Sequence, residues 1–323
     1  MNAVNFESHK PLKILIIGIT GGLARLTAEI LLKKYPEHHI HGVDSREIKD
    51  FNKSPNFTQQ TFSYSRNNFE RLFRDNNFDV VIHLARVSHV TPLKNNNSRI
   101  RMNLTGTNTI LELATKFKTK KLIILSTHHV FGAFNDNSLF IKEDAPLRAS
   151  FQYPELRDVV EMDQMCTNWM YRFQNELSTV VLRPCNIIGP QIKNSISLYL
   201  TTDYAPVPID YNPMFQFIHE FDMANIIVRS VFELKTGIYN VAPDDFISIR
   251  EAKNIVSKKS IPTSFLLLEQ LSKIIKPVWN FPSYLLDYMK YPVVIDNSAL
   301  KKELGNDMFR YTVTEALELL KNH

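Results

Sequence analysis

The stretch KILIIGITGGLARLTAEILLKK, residues 13–34, joins an apolar strand to an amphipathic helix through a glycine-rich turn. Its small residues Gly18, Gly21 and Ala24 keep the spacing G-x-x-G-x-x-A, and Gly22 follows the second of them. Small residues at these positions allow a tight turn, a close approach of backbone to a pyrophosphate, and close packing of helix on strand. A phosphate would then lie at the helix N-terminus. Three of the nine glycines of the chain fall within this turn, so we predict a dinucleotide site here rather than an ordinary turn.

Short apolar runs alternate with segments whose apolar residues recur at helical spacing. The predicted buried strands are KILIIG (13–18), HIHGVD (39–44), DVVIHLA (79–85), KLIILS (121–126) and TVVLRP (179–184). The predicted helices between them are LARLTAEILLKKY (23–35), FERLFRDN (69–76), RIRMNLTGTNTILELATKF (99–117) and ELRDVVEMDQMCTNWMYRF (155–173). Strand and helix in alternation predict an α/β fold with a doubly wound parallel sheet, the Rossmann arrangement.

The alternation breaks near residue 189, where the chain becomes irregular and rich in proline, as in YAPVPIDYNPMFQF. A helix and a strand return in HEFDMANIIVRSVFELKTGIYNVAP, and a mostly helical tail follows. We therefore predict a dinucleotide-binding domain over 1–188 and 219–243, and a smaller substrate-binding lobe over 189–218 and 244–323.

Composition describes a globular protein of 323 residues, 44% apolar, with a net charge of +5. The basic residues are scattered, and the densest run, KFKTKK (116–121), reads as a solvated helix end, so no nucleic-acid partner is predicted. Cys166 and Cys185 are too few for a disulfide framework or a zinc site, which favours a reducing, cytoplasmic setting. We expect neither a signal peptide nor a membrane span, because no segment has the required apolar length.

Asp44 ends the second predicted strand. A carboxylate there can accept hydrogen bonds from the adenosine ribose, and its charge repels the 2′-phosphate of NADP. The predicted cofactor is therefore NAD rather than NADP. Arg46, two residues further on, is a cation that softens this preference.

Four further segments, taken with the opening stretch, resemble the extended short-chain dehydrogenase/reductase family of NAD-dependent nucleotide-sugar epimerases and dehydratases. They are DVVIHLA (79–85), NLTGTNTILELA (103–114), LIILSTHHVFG (122–132) and LRPCNIIGP (182–190). The later stretches FQFIHEFDMANIIV and GIYNVAPDDFISIREA look most like a bacterial branch similar to UDP-glucose 4-epimerase, in which the catalytic set is often incomplete.

The resemblance implies a role for each matching residue. Tyr153 matches the catalytic tyrosine, Thr127 the group that hydrogen-bonds the reacting oxygen, and Arg157 falls where the family has lysine. The implied cofactor-binding residues are Gly18, Gly21, Gly22, Ala24, Asp44, Arg46, Ser63, Leu84, Ala85, Asn103 and Pro184. The implied substrate-binding residues are Asn186, His128 and Arg86, and no metal ligand is predicted.

In FQYPELRDVVE (151–161), Tyr153, Arg157 and Glu161 share one face if the segment is helical. A phenol has a pKa of about 10, and a cation within about 4–6 Å lowers it by about 1–3 units. We therefore predict Tyr153 as general base with Arg157 as electrostatic support, provided that the guanidinium faces inward. The alternative is an exposed helix in which Glu161 pairs with Arg157.

Other positions depart from the family. Ser63 stands where an aspartate binds adenine, and Gln216 where an arginine is usual. An R-x-G-D segment that helps to bind the uridine diphosphate is not visible in YMKYPVVIDNSALKKELG. The tail FLLLEQLSKIIKPVWNFPSYLLDYM (265–289) is strongly apolar and predicts either a helical lid or a pocket for an apolar alcohol.

These features predict an NAD-dependent epimerase/dehydratase-like enzyme, with a UDP-hexose 4-epimerase acting by reversible hydride transfer as the first candidate. Two alternatives stay open: an oxidoreductase of an apolar alcohol, and a non-catalytic NAD-binding or sensing protein. The resemblance also implies a homodimer formed through the helices around 93–117 and 154–176.

Overall fold

The computed structural model describes residues 10–47, 51, 54–85, 96–256, 259–270 and 284–321, with side chains in the long helix given from residue 103 onward. Its centre is a seven-stranded parallel sheet. The strands are β1 (Lys13–Ile17), β2 (His39–Asp44), β3 (Phe57–Thr61), β4 (Val80–His83), β5 (Lys121–Leu125), β6 (Ser178–Pro184) and β11 (Gly237–Val241). Their order, β11-β6-β5-β4-β1-β2-β3, changes direction between β1 and β4. This is the predicted doubly wound topology, and the fold class is confirmed.

Burial on both faces explains why the strands are visible in the sequence. The four residues Ile14–Ile17 of β1 are fully enclosed. Ile14 and Ile16 enter the core on one face of the sheet, whereas Leu15 and Ile17 enter the core on the other, because successive strand side chains point in opposite directions. A sheet covered on both faces therefore reads as continuous apolar runs. Strand β3 (FTQQT) is an edge strand with polar side chains, and the apolar runs do not reveal it.

Helices cover both faces of the sheet. They are α1 (Gly22–Lys34), α2 (Arg66–Asn76), α3 (Asn96–Lys116), α5 (Arg157–Arg172) and α7 (Glu220–Phe232). Helices α1 and α7 pack against each other, and α3 packs between α2 and α5. Among the described helices, none combines the length and the apolar character that crossing a bilayer demands.

The remaining elements are short and lie outside the main sheet. The strands form the pairs β7 (Asn186–Ile188) with β10 (Phe217–His219), β8 (Ala205–Pro208) with β13 (Ser260–Thr263), and β9 (Met214–Phe215) with β12 (Ile247–Ser248). The helices are α4 (Ala149–Gln152), α6 (Ser195–Thr201), α8 (Ile249–Val256), α9 (265–270), α10 (Tyr284–Tyr288), α11 (Ser298–Leu304) and α12 (Val313–Lys321). Strand β11 joins the main sheet beside β6, and the division of the chain into two lobes stays a prediction. Of the apolar tail, residues 271–283 lie outside the described residues.

Two buried lysines close the C-terminal ends of helices. The Nζ of Lys121 donates to the carbonyl oxygens of Val231 and Leu234, at the end of α7. The Nζ of Lys253 donates likewise to the carbonyls of Tyr199 and Leu200 in α6. Burial lowers the pKa of each ammonium to about 8. The carbonyls at a helix end lack partners within the helix, so each ammonium satisfies groups that folding would otherwise leave buried and unpaired.

A buried ion pair ties the end of β6 to α5. The Nε and Nη2 of Arg183 donate to the two carboxylate oxygens of Asp163 at 2.9 and 2.6 Å, and both side chains are almost fully enclosed. Ser126, just after β5, donates to the same carboxylate at 2.5 Å. The third guanidinium nitrogen donates to the carbonyl of Glu143. The network therefore fixes the chain at the ends of β5 and β6, next to Thr127 and Pro184.

We expect Asp163→Ala to lower the free energy of unfolding by about 3–5 kcal/mol, because it leaves a buried guanidinium without its counter-charge. Urea unfolding followed by circular dichroism measures this change. The matched control is Asp136→Ala, which removes an equally bidentate partner from Arg148 at a more exposed site. Its cost should stay within about 1 kcal/mol. Equal losses in the two variants would contradict the special weight given to the buried pair.

Candidate active site

The glycine turn after β1 has the geometry that a close backbone approach requires. Gly18 has φ of +91°, and a Cβ there would lie 2.8 Å from the Cα of Ala85. Gly22 opens α1, where a Cβ would lie 2.5 Å from the carbonyl oxygen of Gln191. Gly21 is the N-cap of α1 and brings no capping side chain, so the first amides of the helix keep their donors for an anion. Ala24 is buried under the turn.

Asp44 ends β2 beside this turn, where an acidic residue is expected. Its Oδ2 accepts from the backbone N and the Oγ1 of Thr20 at 3.1 and 2.5 Å, and its Oδ1 accepts from the N of Ser45 at 2.7 Å and of Arg46 at 3.2 Å. A carboxylate has about four acceptor sites. The carboxylate is thus largely engaged by its own chain. The Arg46 side chain is 75% exposed, and its Nη2 donates to Thr20 Oγ1.

The other predicted cofactor residues lie at or just after the ends of strands, except Asn103, which lies in α3. Leu84 and Ala85 follow β4, and the amide of Leu84 donates to the carbonyl of Ile17. Asn103 is buried, and its Nδ2 donates at 2.7 Å to Asp158, at the start of α5. Ser63 is exposed, and Asn68 donates to its Oγ and to its carbonyl oxygen. Ser63 therefore faces its own helix cap region rather than an enclosed adenine pocket.

Thr127 and His128 follow β5 and start a 3₁₀ turn over His128–Val130. Thr127 is the N-cap of this turn, and its Oγ1 accepts from the amide of His129 at 3.3 Å. The ring of His128 is buried, and its Nδ1 lies 3.0 Å from the carbonyl oxygen of Pro184, to which it must donate. Burial lowers the pKa of His128 to about 4, so the ring is neutral at physiological pH. His128 thus braces the end of β6, and a substrate contact stays only a prediction.

Tyr153 and Arg157 do not share a helix face, and the expectation of a continuous helical row is wrong. Tyr153 ends α4 in an extended conformation (φ −118°), and α5 begins only at Arg157. The Arg157 side chain is 65% exposed, and its Nε donates at 2.5 Å to Glu161. The predicted inward-facing guanidinium is therefore also wrong. An i,i+4 partner in solvent holds the long side chain without the cost of burying its charge.

The phenol of Tyr153 is enclosed by the chain itself. Its hydroxyl donates to the carbonyl of Ala133 at 2.8 Å, and the residue is 5% exposed. Helix α10 places Asp287 beside it, held by Gln152, whose Nε2 donates to Asp287 Oδ2 at 3.0 Å. Burial, followed by the charge of Asp287, raises the pKa of Tyr153 well above its ordinary value. The surroundings thus favour the neutral phenol, which is the opposite of what a general base needs.

Helix α10 also covers the 3₁₀ turn after Thr127. The hydroxyl of Tyr288 donates to the carbonyl of His129 at 3.2 Å, and the rings of His129 and Tyr288 meet edge to face at 4.9 Å. The ring of Tyr284 lies 5.4 Å from that of His129. Part of the predicted lid therefore does pack over the expected reaction centre.

On the substrate side, polar groups bond within the chain. The Nδ2 of Asn186 donates to the carbonyl of Gln216 at 3.1 Å. The side-chain Nε2 of Gln216 donates to the backbone carbonyls of Pro243 and Ile295, and its Oε1 accepts from the backbone N of Ile295. Where the family has a cation, this chain has a brace between distant segments. Arg86 lies outside the described residues.

The model of the NAD dependent epimerase/dehydratase family matches residues 14–242. The chain belongs to this family. The resemblance inferred from the motifs is thereby confirmed, and NAD is the cofactor of the family.

Individual relatives of the family are distant. An uncharacterized protein of Mycobacterium tuberculosis is 22% identical over 266 residues, which are 77% of this chain and 66% of that protein. A UDP-glucose 4-epimerase of Dictyostelium discoideum is 29% identical over 226 residues, 60% of this chain and 64% of the relative. The match thus spans about two thirds of the length of either relative. The crystal structure of a dTDP-glucose 4,6-dehydratase from Bacillus anthracis with NAD superposes with a TM-score of 0.75 over 96% of both chains, at 18% identity.

The described residues fit NAD at the glycine edge. At Gly18 the backbone lies too close to Ala85 to admit a Cβ, and the uncapped start of α1 offers amide donors for the pyrophosphate. Gly18, Gly21 and Gly22 would hold the pyrophosphate, and Ala85 would border the nicotinamide half. We propose these binding roles for the three glycines and Ala85.

Three residues that the sequence analysis did not single out lie next to predicted site residues in the chain or in space: Tyr64, Asp158 and Asp287. Tyr64 directly follows Ser63, and Asp158 directly follows Arg157, so their positions beside predicted site residues are the available signals. Asp287 lies far along the chain from Tyr153, and no local pattern marks it.

Gly18→Ala should weaken NAD binding more than tenfold and lower stability, because the new Cβ would meet Ala85 and push the turn outward. Gly305→Ala is the matched control, since Gly305 also has a positive φ (+82°) but nothing lies within 4 Å of its Cβ position. Both variants carry backbone strain of about 1 kcal/mol, and Gly18→Ala an overpacking cost of about 1–3 kcal/mol in addition. Calorimetric titration with NAD and thermal unfolding measure the two effects. Unchanged NAD affinity in Gly18→Ala would contradict the assignment of the turn.

Proposed function

We propose that this protein is an NAD-dependent enzyme that acts on a nucleotide sugar by reversible hydride transfer, with UDP-hexose 4-epimerase as the first activity to test. The observation that carries the proposal is the joint placement of the glycine turn after β1 and Thr127 after β5 at the carboxyl edge of one parallel sheet. The named activity of the Dictyostelium relative, a UDP-glucose 4-epimerase, supports UDP-hexoses as the first sugar class to test.

The roles of the chain's own residues follow from their places. NAD bound at this edge supplies a reversible hydride acceptor. Thr127 would donate a hydrogen bond to the reacting oxygen, and Tyr153 would take or return the proton of the sugar hydroxyl. For this, the Tyr153 hydroxyl has to leave the carbonyl of Ala133, and its pKa has to fall. The fall in pKa would require the phenol to be less buried and, next in weight, Asp287 on α10 to lie further from it.

Arg157 takes no direct part in this mechanism in the conformation described. Its guanidinium pairs with Glu161 in solvent, so it does not supply the field that a lysine at this position provides in the family. The positive charge of bound oxidised NAD would then be a source of stabilisation for a phenolate.

A second candidate is a non-catalytic NAD-binding protein. Two observations favour it. The Tyr153 hydroxyl donates to the backbone carbonyl of Ala133, and the side-chain amides of Asn186 and Gln216 also donate to backbone carbonyls. Such a protein would bind NAD without reducing it. The apolar-alcohol alternative rests on the sequence alone, because Leu266 and Leu267 of α9 face solvent rather than line a pocket.

Tyr153→Phe should abolish interconversion of UDP-glucose and UDP-galactose, because the variant lacks the hydroxyl that carries the exchangeable proton. NAD affinity should stay within about twofold, because the phenyl ring keeps the packing. Coupled assay of the sugar and calorimetric titration of NAD measure the two quantities. The matched control is Tyr288→Phe, which also loses a hydroxyl bonded to a backbone carbonyl but should keep most of its activity.

The wild-type protein separates the candidates. Interconversion that survives in Tyr153→Phe would reject Tyr153 as the base. NAD binding with no reduction of the nicotinamide by any UDP-sugar or apolar alcohol would leave the non-catalytic candidate. Reduction by an apolar alcohol alone would select the alternative substrate class.

We also propose a cytoplasmic homodimer assembled through α3 and α5. The Nε1 of Trp169 on α5 donates to Thr115 on α3, so the two helices present a joint outer surface. A cavity of about 380 Å³ lies on the outer face of α5, lined by Glu161, Gln164, Met165, Asn168, Trp169 and Arg172. Both cysteines are free and buried, which suits a reducing compartment.

Met165→Glu should convert this dimer to monomer, because it places an unpaired charge at the centre of the shared face. Sedimentation velocity of the two proteins at equal concentration measures the change. Tyr171→Glu, one turn and a half further on and already 56% exposed, is the control and should leave the mass unchanged. A wild-type protein that sediments as a monomer would overturn the proposal.

A further inference from the structure

Tyr64 lies at the adenosine side of the predicted cofactor edge. It follows β3, whose last residue Thr61 pairs with Asp44 at the end of β2, and the amide of Phe62 donates to the carbonyl of Asp44. On its other side lies α3, where a Cβ on Gly106 would come within 3.2 Å of the Tyr64 ring. Tyr64 is thus held between the carboxyl end of β2 and α3.

The hydroxyl of Tyr64 has no hydrogen-bond partner among the described residues, although its oxygen is buried. The ring packs edge to face on Phe69, with 4.6 Å between the ring centroids. Burial and the nearby charge of Asp44 raise the pKa of the phenol, so the hydroxyl keeps its proton. A buried polar group without a partner destabilises a fold, and such a group is a candidate for a ligand contact.

The residues predicted to bind adenosine already have hydrogen-bond partners within the chain. Asp44 already accepts from Thr20, Ser45 and the amide of Arg46. Ser63 is exposed and bonded to Asn68. Ribose hydroxyls bound next to Asp44 would therefore need a further polar partner, and the Tyr64 hydroxyl, which is near enough to feel the charge of Asp44, has none among the described residues.

We propose that the hydroxyl of Tyr64 hydrogen-bonds the adenosine ribose of NAD, sharing with Asp44 the recognition that the family motif gives to acidic residues. The contact would add to those of the glycine turn, because Tyr64 follows β3 and not β1. It concerns binding alone and holds whether or not the bound cofactor is turned over.

The test compares Tyr64→Phe with the wild type, using AMP, NAD and 2′,3′-dideoxy-AMP as probes in calorimetric titrations. We expect Tyr64→Phe to weaken AMP and NAD about threefold to tenfold, the size of one neutral hydrogen bond. Dideoxy-AMP, which lacks both ribose hydroxyls, should bind the two proteins equally. The free energy of unfolding without ligand should stay the same or rise, since the hydroxyl bonds to nothing in the described fold.

Tyr199→Phe is the matched control. Its hydroxyl donates to the carbonyl of Pro206 at 2.9 Å in a region away from the cofactor edge. This variant should lose stability and keep its AMP affinity, the reverse of Tyr64→Phe.

Each other result overturns the proposal. Equal AMP affinity in Tyr64→Phe and wild type would show that the hydroxyl contacts no part of adenosine. An equal loss with AMP and with dideoxy-AMP would place the contact on adenine and reject the ribose. AMP binding does not depend on the nucleotide-sugar substrate. A wild-type protein without activity whose AMP affinity falls in Tyr64→Phe as predicted would therefore reject the proposed function and leave this inference intact.

Discussion

The contact between Gly18 and Ala85 is the constraint on which the cofactor edge depends. It brings β1 and β4 together at the point where the strand order changes direction, and a side chain at residue 18 would have to occupy the position of the Ala85 backbone. The turn therefore needs a residue that has no Cβ and that tolerates a positive φ, and glycine alone meets both conditions. With this turn in place, α1 starts at the edge of the sheet and Asp44 comes to lie beside it.

The two halves of the expected site differ in how far the chain satisfies its own polar groups. On the cofactor side, the start of α1 is uncapped and the Tyr64 hydroxyl is unpaired among the described residues. On the substrate side, His128, Tyr153, Asn186 and Gln216 all bond to backbone carbonyls. A ligand gains most where donors and acceptors are not already paired, because pairing within the protein has to be broken first. In the described conformation the first amides of α1 are therefore open to an anion, whereas these four substrate-side residues already have partners within the chain.

The placements along the chain that the structure bears out and those that it contradicts both have local determinants. The positions of Gly18, Asp44, Ala85 and Thr127 at strand ends follow from the apolar runs that precede them. The placement of Tyr153 failed for a local reason that the sequence did display: Pro154 follows it, and the residue before a proline is biased toward extended backbone, which separates Tyr153 from α5. The predicted inward orientation of the Arg157 guanidinium was wrong because Glu161, one helical turn away, pairs with it at the surface, where neither charge has to be buried.

The sequence by itself determined the Rossmann sheet, the glycine turn and membership of the epimerase/dehydratase family, because hydrophobic periodicity and glycine spacing are local properties that survive at low identity. Only the tertiary structure decided which polar groups are free. Asp287 lies beside Tyr153 although it is 135 residues beyond Gln152 in the chain, and Gln216 contacts Ile295 across a gap of 79 residues. Such pairings depend on how distant segments pack, and the pKa of a buried phenol depends in turn on those pairings, so neither can be read from the order of residues alone.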